Sequence, residues 1–526
     1  MILDAWPNAV PTLGRRMIMT DAKEITRDNI VEIVRSAFLT HQENVREELF
    51  LFEYERGNQE ILKRKKEIRP EINAKVVINN AAKIVDTHVG YCFSNPITLV
   101  QRAKIETDKN KDQGKEDDMK IALLNKMMYE QGKGKKDMEL ARNLFICGVG
   151  YQMVLPTRQK YKNRYFSPFE ILVPNPVTTF VVYSNDAYRE PLLGCTYSIH
   201  SDGMITLTAY SEKWCFEIER EDDDSEFRLA QGLKNVITPN VLGMIPIVEF
   251  ALNDRMGIFE KAIPILDAIN LIDSDRINDI MQFVQSLLWM HNCQIDEDAK
   301  KNFVNGGVIM TKSNGDGKEA KITYLNGTLN EAEVQELVDH LIESLEQITA
   351  TPSWKEASGG STTGAMQLSN GWQCLEISAK SIEQLFTESE QQLLDVAIHI
   401  INADQRPYDG LKDIQLADIE VRFCRTKTYD LVSKTNALVS LINAGVDGLT
   451  AFNTVGLFTD AQQAYIDSAR IIDGIQENML HNTGSNNAIK NANASVDENG
   501  FGGKDNEEKD PTEESLQPSR VSGVVE

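Results

Sequence analysis

The chain has 526 residues, 41% of them hydrophobic and 25% charged: more than one compact core usually holds, in a composition ordinary for a folded protein. A formal net charge of −24 argues against simple electrostatic capture of nucleic acid, which needs clustered Lys and Arg to displace counterions. The seven cysteines (Cys92, Cys147, Cys195, Cys215, Cys293, Cys374, Cys424) are scattered without a CxxC pair, which argues against a disulfide framework or a structural zinc site and for reduced thiols in a cytosol.

The N-terminus, MILDAWPNAVPTLGRRM, has an early aspartate and two prolines and lacks the apolar stretch of a signal peptide. No run of 18 apolar residues occurs, so no helix is expected to span a membrane. Residues 1 to about 25 read as a flexible arm. Met17-Ile18-Met19-Thr20-Asp21 would itself serve as a start, which makes residues 1–16 candidates for dispensability. From Thr26 to about Arg64, Ile30, Ile33, Val34, Phe38, then Leu49, Phe52 and Tyr54 predict helices joined by a polar stretch. Lys63-Arg64-Lys65-Lys66 follows, read as a solvated helix face in preference to a nucleic-acid patch. Asn79 to Tyr91 predicts a helix closed by the turn pair Asn95-Pro96.

Residues 104–118 are almost wholly polar and are expected to be an exposed loop. Helical segments across Met119 to Phe145 are interrupted at Gly132-Lys133-Gly134-Lys135-Lys136, which lacks the spacing and the preceding strand of a phosphate-cradling loop. Between Gly150 and about Phe250, short runs such as Thr179-Phe180-Val181-Val182-Tyr183 and Trp214-Cys215-Phe216-Glu217-Ile218 predict antiparallel strands. A long amphipathic pattern over 257–290 tolerates Pro264 in a first turn or at a kink. Val308-Ile309-Met310 and Ile322-Thr323-Tyr324-Leu325 around Asn314-Gly315-Asp316-Gly317 predict a hairpin.

A second amphipathic helix over 329–350 places Val334, Leu337, Val338, Leu341, Leu345 and Ile348 on one face. Its polar side is acidic: Glu331, Glu333, Glu336, Asp339, Glu343 and Glu346. Thr351-Pro352-Ser353 ends it, and Ser358-Gly359-Gly360-Ser361-Thr362-Thr363-Gly364 reads as a flexible small-residue loop. Ala365 to about Ala403 is proline-free and periodic, one helix about 60 Å long at about 1.5 Å per residue. A strand over Ile419 to Phe423 and helices from about Tyr429 to Gln476 follow, and the polar tail beyond Asn482 reads as disordered. The fold class is α+β, mainly helical.

Enzymatic readings find little support. Asp267, Asp275 and Asp279 fall within about 120° of a helical wheel, which one solvated face explains as well as a metal site does. The histidines lack HExxH or HxH spacing, and Ser361 lacks a GxSxG elbow. No cofactor is expected.

The order helix, hairpin, helix, glycine-rich loop, very long helix resembles the portal proteins of long-tailed bacteriophages. Tyr54 with Gly57 and Ile61 is similar to that family's Y-x-G-x-x-x-I start. Asn79-Asn80 leading to Lys83, Ile84, Val85 and Asp86, then Gly90-Tyr91 and Asn95-Pro96-Ile97, resembles its most recognisable stretch. So do Gly148-Val149-Gly150-Tyr151, the run Gly243 to Phe250 with Asn253, Asp267, Asn270 and Ser274, and the small-residue run Ser358 to Met366. The resemblance covers roughly residues 45 to 470. Trp372-Gln373-Cys374, where plain helix formers are expected, departs from it.

The resemblance implies a wing (26–256), a first stem helix (257–290), a clip (291–328), a second stem helix (329–350) and a tunnel loop (351–364). A long helix returning to the wing (365–424), a crown (425–482) and an acidic tail (483–526) complete the plan. It implies a non-enzymatic dodecameric ring at the virion's head vertex, assembled in the host cytoplasm without a membrane. Partners would be double-stranded DNA, the terminase large subunit, a head-completion adaptor, and the major capsid and scaffolding proteins. Ser358 to Gly364 would touch DNA, and Asn314, Gly315, Asp316 and Gly317 would dock partners. Asp275, Asp279, Glu336, Asp339, Glu343 and Glu346 would either line a repelling channel wall or solvate the outside of the ring. A packaging ATPase-nuclease would need a P-loop that is absent here, and a helical scaffold without a DNA role is the other alternative.

Overall fold

A computed structural model describes residues 14–67, 70–102, 111–158, 166–220, 226–230, 236–284, 287–291, 293–294, 312–313, 321–325, 331–353, 371–404, 414–423, 425, 431–458, 464–465 and 468. The chain divides into two units, Met1–Leu431 and Val432–Glu526, and the fold is mixed α+β, about half helical with several sheets.

In the first unit, β1 (Ile18–Thr20) precedes α1 (Ile30–Glu55), a single helix where the sequence suggested several. The polar residues responsible for that suggestion, His41, Asn44 and Glu48, are buried and themselves follow helical spacing. His41 Nε2 lies 3.2 Å from the Val177 carbonyl, and the Asn44 amide brackets the backbone of Arg16, accepting from its N–H at 2.8 Å and donating to its C=O at 2.9 Å. Residues 14–25, expected in a loose arm, are built into the fold. Ile18 and Ile25 are buried, and β1 pairs parallel to β5 (Thr179–Ser184) with Ile18 opposite Val182.

A seven-stranded sheet runs in the order β1, β5, β6 (Pro191–Ile199), β7 (Ile205–Tyr210), β8 (Trp214–Arg220) and β10 (Ile237–Pro239), with β9 (Arg228–Leu229) also on β8. Alternation places Phe180, Val182, Leu193, Leu207 and Phe216 against Ile30, Val34 and Phe38 of α1. A three-stranded sheet pairs β3 (Val149–Pro156) with β4 (Phe169–Leu172) and β11 (Ile247–Ala251), and β2 (Thr98–Gln101) pairs with β16 (Ile419–Arg422). The runs Thr179–Tyr183 and Trp214–Ile218 are strands, as the sequence predicts, and further strands lie between them and around them.

The largest core joins these smaller sheets to α2 (Asn80–Phe93), α3 (Lys111–Glu130), α4 (Lys133–Cys147) and α7 (Trp372–Ala403). Phe386 of α7 sits at its centre, with ring centroids 5.0 Å from Phe93 and 4.6 Å from Phe250. The N-cap Asn79 accepts from the Ala82 N–H and donates to the Glu55 carbonyl, tying α2 to the end of α1. The polar run expected as a loop is helical from Lys111, because Lys, Gln and Glu extend a helix that Leu124 and Met127 anchor. In α7, 32 residues span about 48 Å at about 1.5 Å per residue. Its unexpected opening residue, Trp372, lies 6.0 Å from the Tyr91 ring. Residues 365–370 lie outside the described residues.

Pro264 falls in the first turn of α5 (Ile263–Val284), where its missing N–H is harmless. The amphipathic pattern over 257–290 ends early, because β12 (Leu287–His291) pairs antiparallel with β15 (Lys321–Leu325), Trp289 opposite Thr323. Of the hairpin expected over 308–325, the second arm is β15, whose described partner β12 comes from before the segment. A second short pair joins β13 (Cys293–Gln294) to β14 (Lys312–Ser313). Val308–Met310 and the turn Asn314–Gly317 lie outside the described residues. Next along the chain is α6 (Glu331–Ile348).

The second unit contains most of α8 (Leu431–Asn443) and α9 (Gly448–Val455), capped by Asp447 accepting from the Thr450 N–H at 3.1 Å. Leu438, Ala451 and Phe452 form its core. Among the described residues no helix is long and apolar enough to cross a membrane.

Candidate functional site

The two helices α5 and α6 carry most of the sequence-predicted site residues. One face of α5 is covered within the subunit. Asn270, Ser274 and Asn278, spaced i, i+4, i+8, accept hydrogen bonds from the backbone N–H groups of Ile78 (2.8 Å), Val76 (2.9 Å) and Ala74 (2.6 Å). An extended strap over 74–78 is thus held by helix side chains, every second amide in turn. On the same side Asp267 accepts from the Tyr54 hydroxyl at 2.8 Å, and Asp275 from Arg64 at 2.6 Å with Lys66 Nζ at 3.6 Å. Partial burial works against ionisation of Asp275, but hydrogen bonds from Arg64 and Asn278 hold its carboxyl below the ordinary range.

Two expectations change here. Arg64 and Lys66 are neither a solvated helix face nor a nucleic-acid patch, because they follow a short 3-10 turn and dock on α5. Asp267 and Asp275 are each held by a protein donor on α1 or just beyond it, which accounts for their shared arc. Likewise Lys133 of the glycine–lysine cluster points into the core, bonded to Asp137 and, at 2.9 Å, to Glu390 of α7. Burial alone would lower the pKa of this lysine; the two carboxylates overcome it and raise it.

Where α6 meets α5, Arg276 donates to the Gln335 carbonyl oxygen at 3.0 Å, and Gln335 donates to Asp339 at 3.2 Å. Asp339 and Glu346 are half-buried, as is Asp279 on α5, while Glu336 and Glu343 are exposed. Glu343 accepts from Gln347 at 3.4 Å. The apolar face of α6 divides. Val338 and Leu345 are buried, whereas Leu337 and Ile348 stay 49% and 55% exposed. On α5, Leu271, Ile277 and Ile280 are 45%, 39% and 65% exposed. Exposed large apolar side chains on two neighbouring helices are candidates for contact with a partner. Ser358–Gly364 and Asn314–Gly317 lie outside the described residues.

Several of the residues that carried the family resemblance meet around α5: Tyr54 bonds Asp267, and Asn270 and Ser274 hold the strap leading to Asn79. The strap contacts were not foreseen, although three uncharged polar residues at four-residue spacing along one helix are a readable signal. The buried Arg15, described below, left no such signal.

A mixed α+β subunit whose helix pair leaves apolar side chains uncovered is, by class, a structural component of a larger assembly. A family model described as phage portal protein, SPP1 Gp6-like, matches residues 38–447. The chain belongs to that family: it is an SPP1-type phage portal protein, the channel at the head vertex through which DNA is packaged and ejected, and a structural component without enzymatic activity. No curated protein matches the chain.

Proposed function

We propose that α5 and α6 are the stem of the portal and that their uncovered apolar side chains pack against neighbouring copies in a dodecameric ring. The observation that carries this reading is the exposure of Leu271, Ile277 and Ile280 on one helix and Leu337 and Ile348 on the other, in a family that forms rings. A heterologous contact between two unlike faces closes into a ring when the rotation is right. The segment 291–328 would be the clip, docking the terminase large subunit and later the head-completion adaptor, with major capsid and scaffolding proteins around the wing. Residues 26–256, with the return of the chain over 365–424, would be that wing, and 425–482 the crown. Ser358 to Gly364 would be the loop closest to DNA.

The wall of the channel is read as acidic. Carboxylates repel the duplex from every side and centre it, whereas Lys and Arg would hold phosphates and slow sliding. Asp279, Glu336, Asp339, Glu343 and Glu346 are the proposed lining. Asp275 is left out, since Arg64 and Lys66 neutralise it. Electron microscopy of the purified protein tests the ring: a particle with a central hole is expected. A strictly monomeric species at every salt and protein concentration overturns it.

A further inference from the structure

The junction between β11 and α5 contains two consecutive non-glycine residues in the left-handed region, Asp254 (φ 59°) and Arg255 (φ 53°). A side chain with a Cβ disfavours that backbone, which persists only where neighbouring contacts impose it. The neighbours here are unusually specific. The Arg15 N–H donates to the Arg255 carbonyl at 2.9 Å. Gly14 (φ 71°) and Gly148 (φ 78°) lie so close that a Cβ on the first would overlap the Asp254 carbonyl, and on the second the Arg255 backbone. The Arg255 guanidinium is itself forked onto Glu249 at 2.6 and 3.0 Å.

The side chain of Arg15 holds the far end of the same junction. It is fully buried, donates to Glu260 Oε1 at 2.6 Å and to the Cys147 carbonyl at 3.3 Å, and its Nε lies 3.1 Å from Glu47 Oε2. The other oxygen of Glu260 accepts the Gly257 N–H at 3.0 Å. One residue therefore grips the junction twice, through its main chain at Arg255 and through its guanidinium at Glu260. Its own place is fixed by Asn44, which brackets Arg16, and by β1 on the edge of the sheet.

We propose that Gly14–Arg16 is a latch that holds Asp254 and Arg255 in the left-handed form and so sets how α5 leaves the β layer. Releasing the latch lets the junction relax to ordinary backbone and resets α5 against the sheet: a two-state element within one subunit. The proposal stands on contacts inside the chain and does not depend on the ring or on the acidic wall.

Hydrogen exchange of the full-length protein, read at the amides of Arg255, Gly257 and Ile258, tests it. Asn44→Ala frees Arg16 without touching a buried charge, and Arg15→Gln removes the ion pairs. Each is expected to speed exchange at those amides at least tenfold while leaving β6 and β7 unchanged. If Arg15→Gln does not fold, Asn44→Ala carries the same comparison. Adding Asp254→Gly to Asn44→Ala removes the left-handed penalty at one of the two positions and is expected to restore part of the protection. Asp254→Ala, which loses the same side chain and its ion pair with Lys261 but keeps the Cβ, is not. Wild-type exchange in Asn44→Ala, or equal behaviour of the glycine and alanine variants, overturns the latch.

Discussion

Glu48 lies within α1, buried, with its Oε2 lacking a hydrogen-bond partner among the described residues. Burial pushes its pKa up to about 7, against the pull of Arg15 and Arg255. Between the usual carboxylate range and that value the folded protein keeps a proton that the unfolded chain has lost, so this group's contribution to stability falls as pH rises. The full cost, present above about pH 7, is roughly 3 kcal/mol. Glu48→Gln is therefore expected to match the wild type at pH 5 and exceed it at pH 8, by denaturant unfolding. A difference that does not change with pH counts against this account. The comparison must be a difference, because burial lowers His41 on the same helix to about 4, which gives the opposite slope. Lys133 is the complementary case. Lys133→Met leaves Asp137 and Glu390 buried without their cation, an expected loss of about 3–5 kcal/mol at neutral pH. A midpoint within error of the wild type would mean that the two carboxyls rearrange or take up protons.

At the scale of elements, α5 holds the strap of its own subunit with polar side chains and leaves Leu271, Ile277 and Ile280 exposed, the positions proposed to meet neighbouring copies. Alanine at Asn270, Ser274 or Asn278 leaves a strap amide without its partner, at about 1–3 kcal/mol each. The expected signature is faster exchange at Ile78, Val76 or Ala74 respectively, and unchanged exchange at all three would show that water replaces the side chains. The outward face behaves differently. Leu337→Asp with Ile348→Asp touches exposed positions, so the subunit is expected to fold with a thermal midpoint near that of the wild type, while light scattering reports lost rings. Rings of wild-type mass from that variant would place the subunit interface elsewhere.

For the whole molecule, a net charge of −24 is the property a DNA channel must accommodate. If the duplex slides because the wall repels it, reversing the wall's sign should create phosphate contacts that slow translation. Lysine at Asp339 and Glu343 together is expected to leave rings intact and to lower the DNA packaged per head. Asp275→Asn, at a carboxylate already neutralised by Arg64 and Lys66, is expected to leave packaging alone. Wild-type packaging by the double lysine variant would move these carboxylates to the outside of the ring.

What depends on near neighbours could be read from the chain alone. Period-2 runs marked the strands between Gly150 and Phe250, a four-residue apolar rhythm marked α5 and α6, and Asn79 announced the start of α2. The family was legible because its signature residues sit in that local grammar. Which distant group meets which side chain depends on the folded arrangement. Arg64 and Asp275 are far apart in sequence, as are Arg15 and Glu260, and so are β12 and β15. No periodicity encodes such pairs, since any buried carboxylate could be served by any arginine that the fold brings near. The same holds for the polar centre of α1, which reads as a break until His41 and Asn44 find their partners on other segments. Burial and partnership are properties of three-dimensional packing, and they turned an apparent arm into a latch and an apparent basic patch into the anchor of a helix.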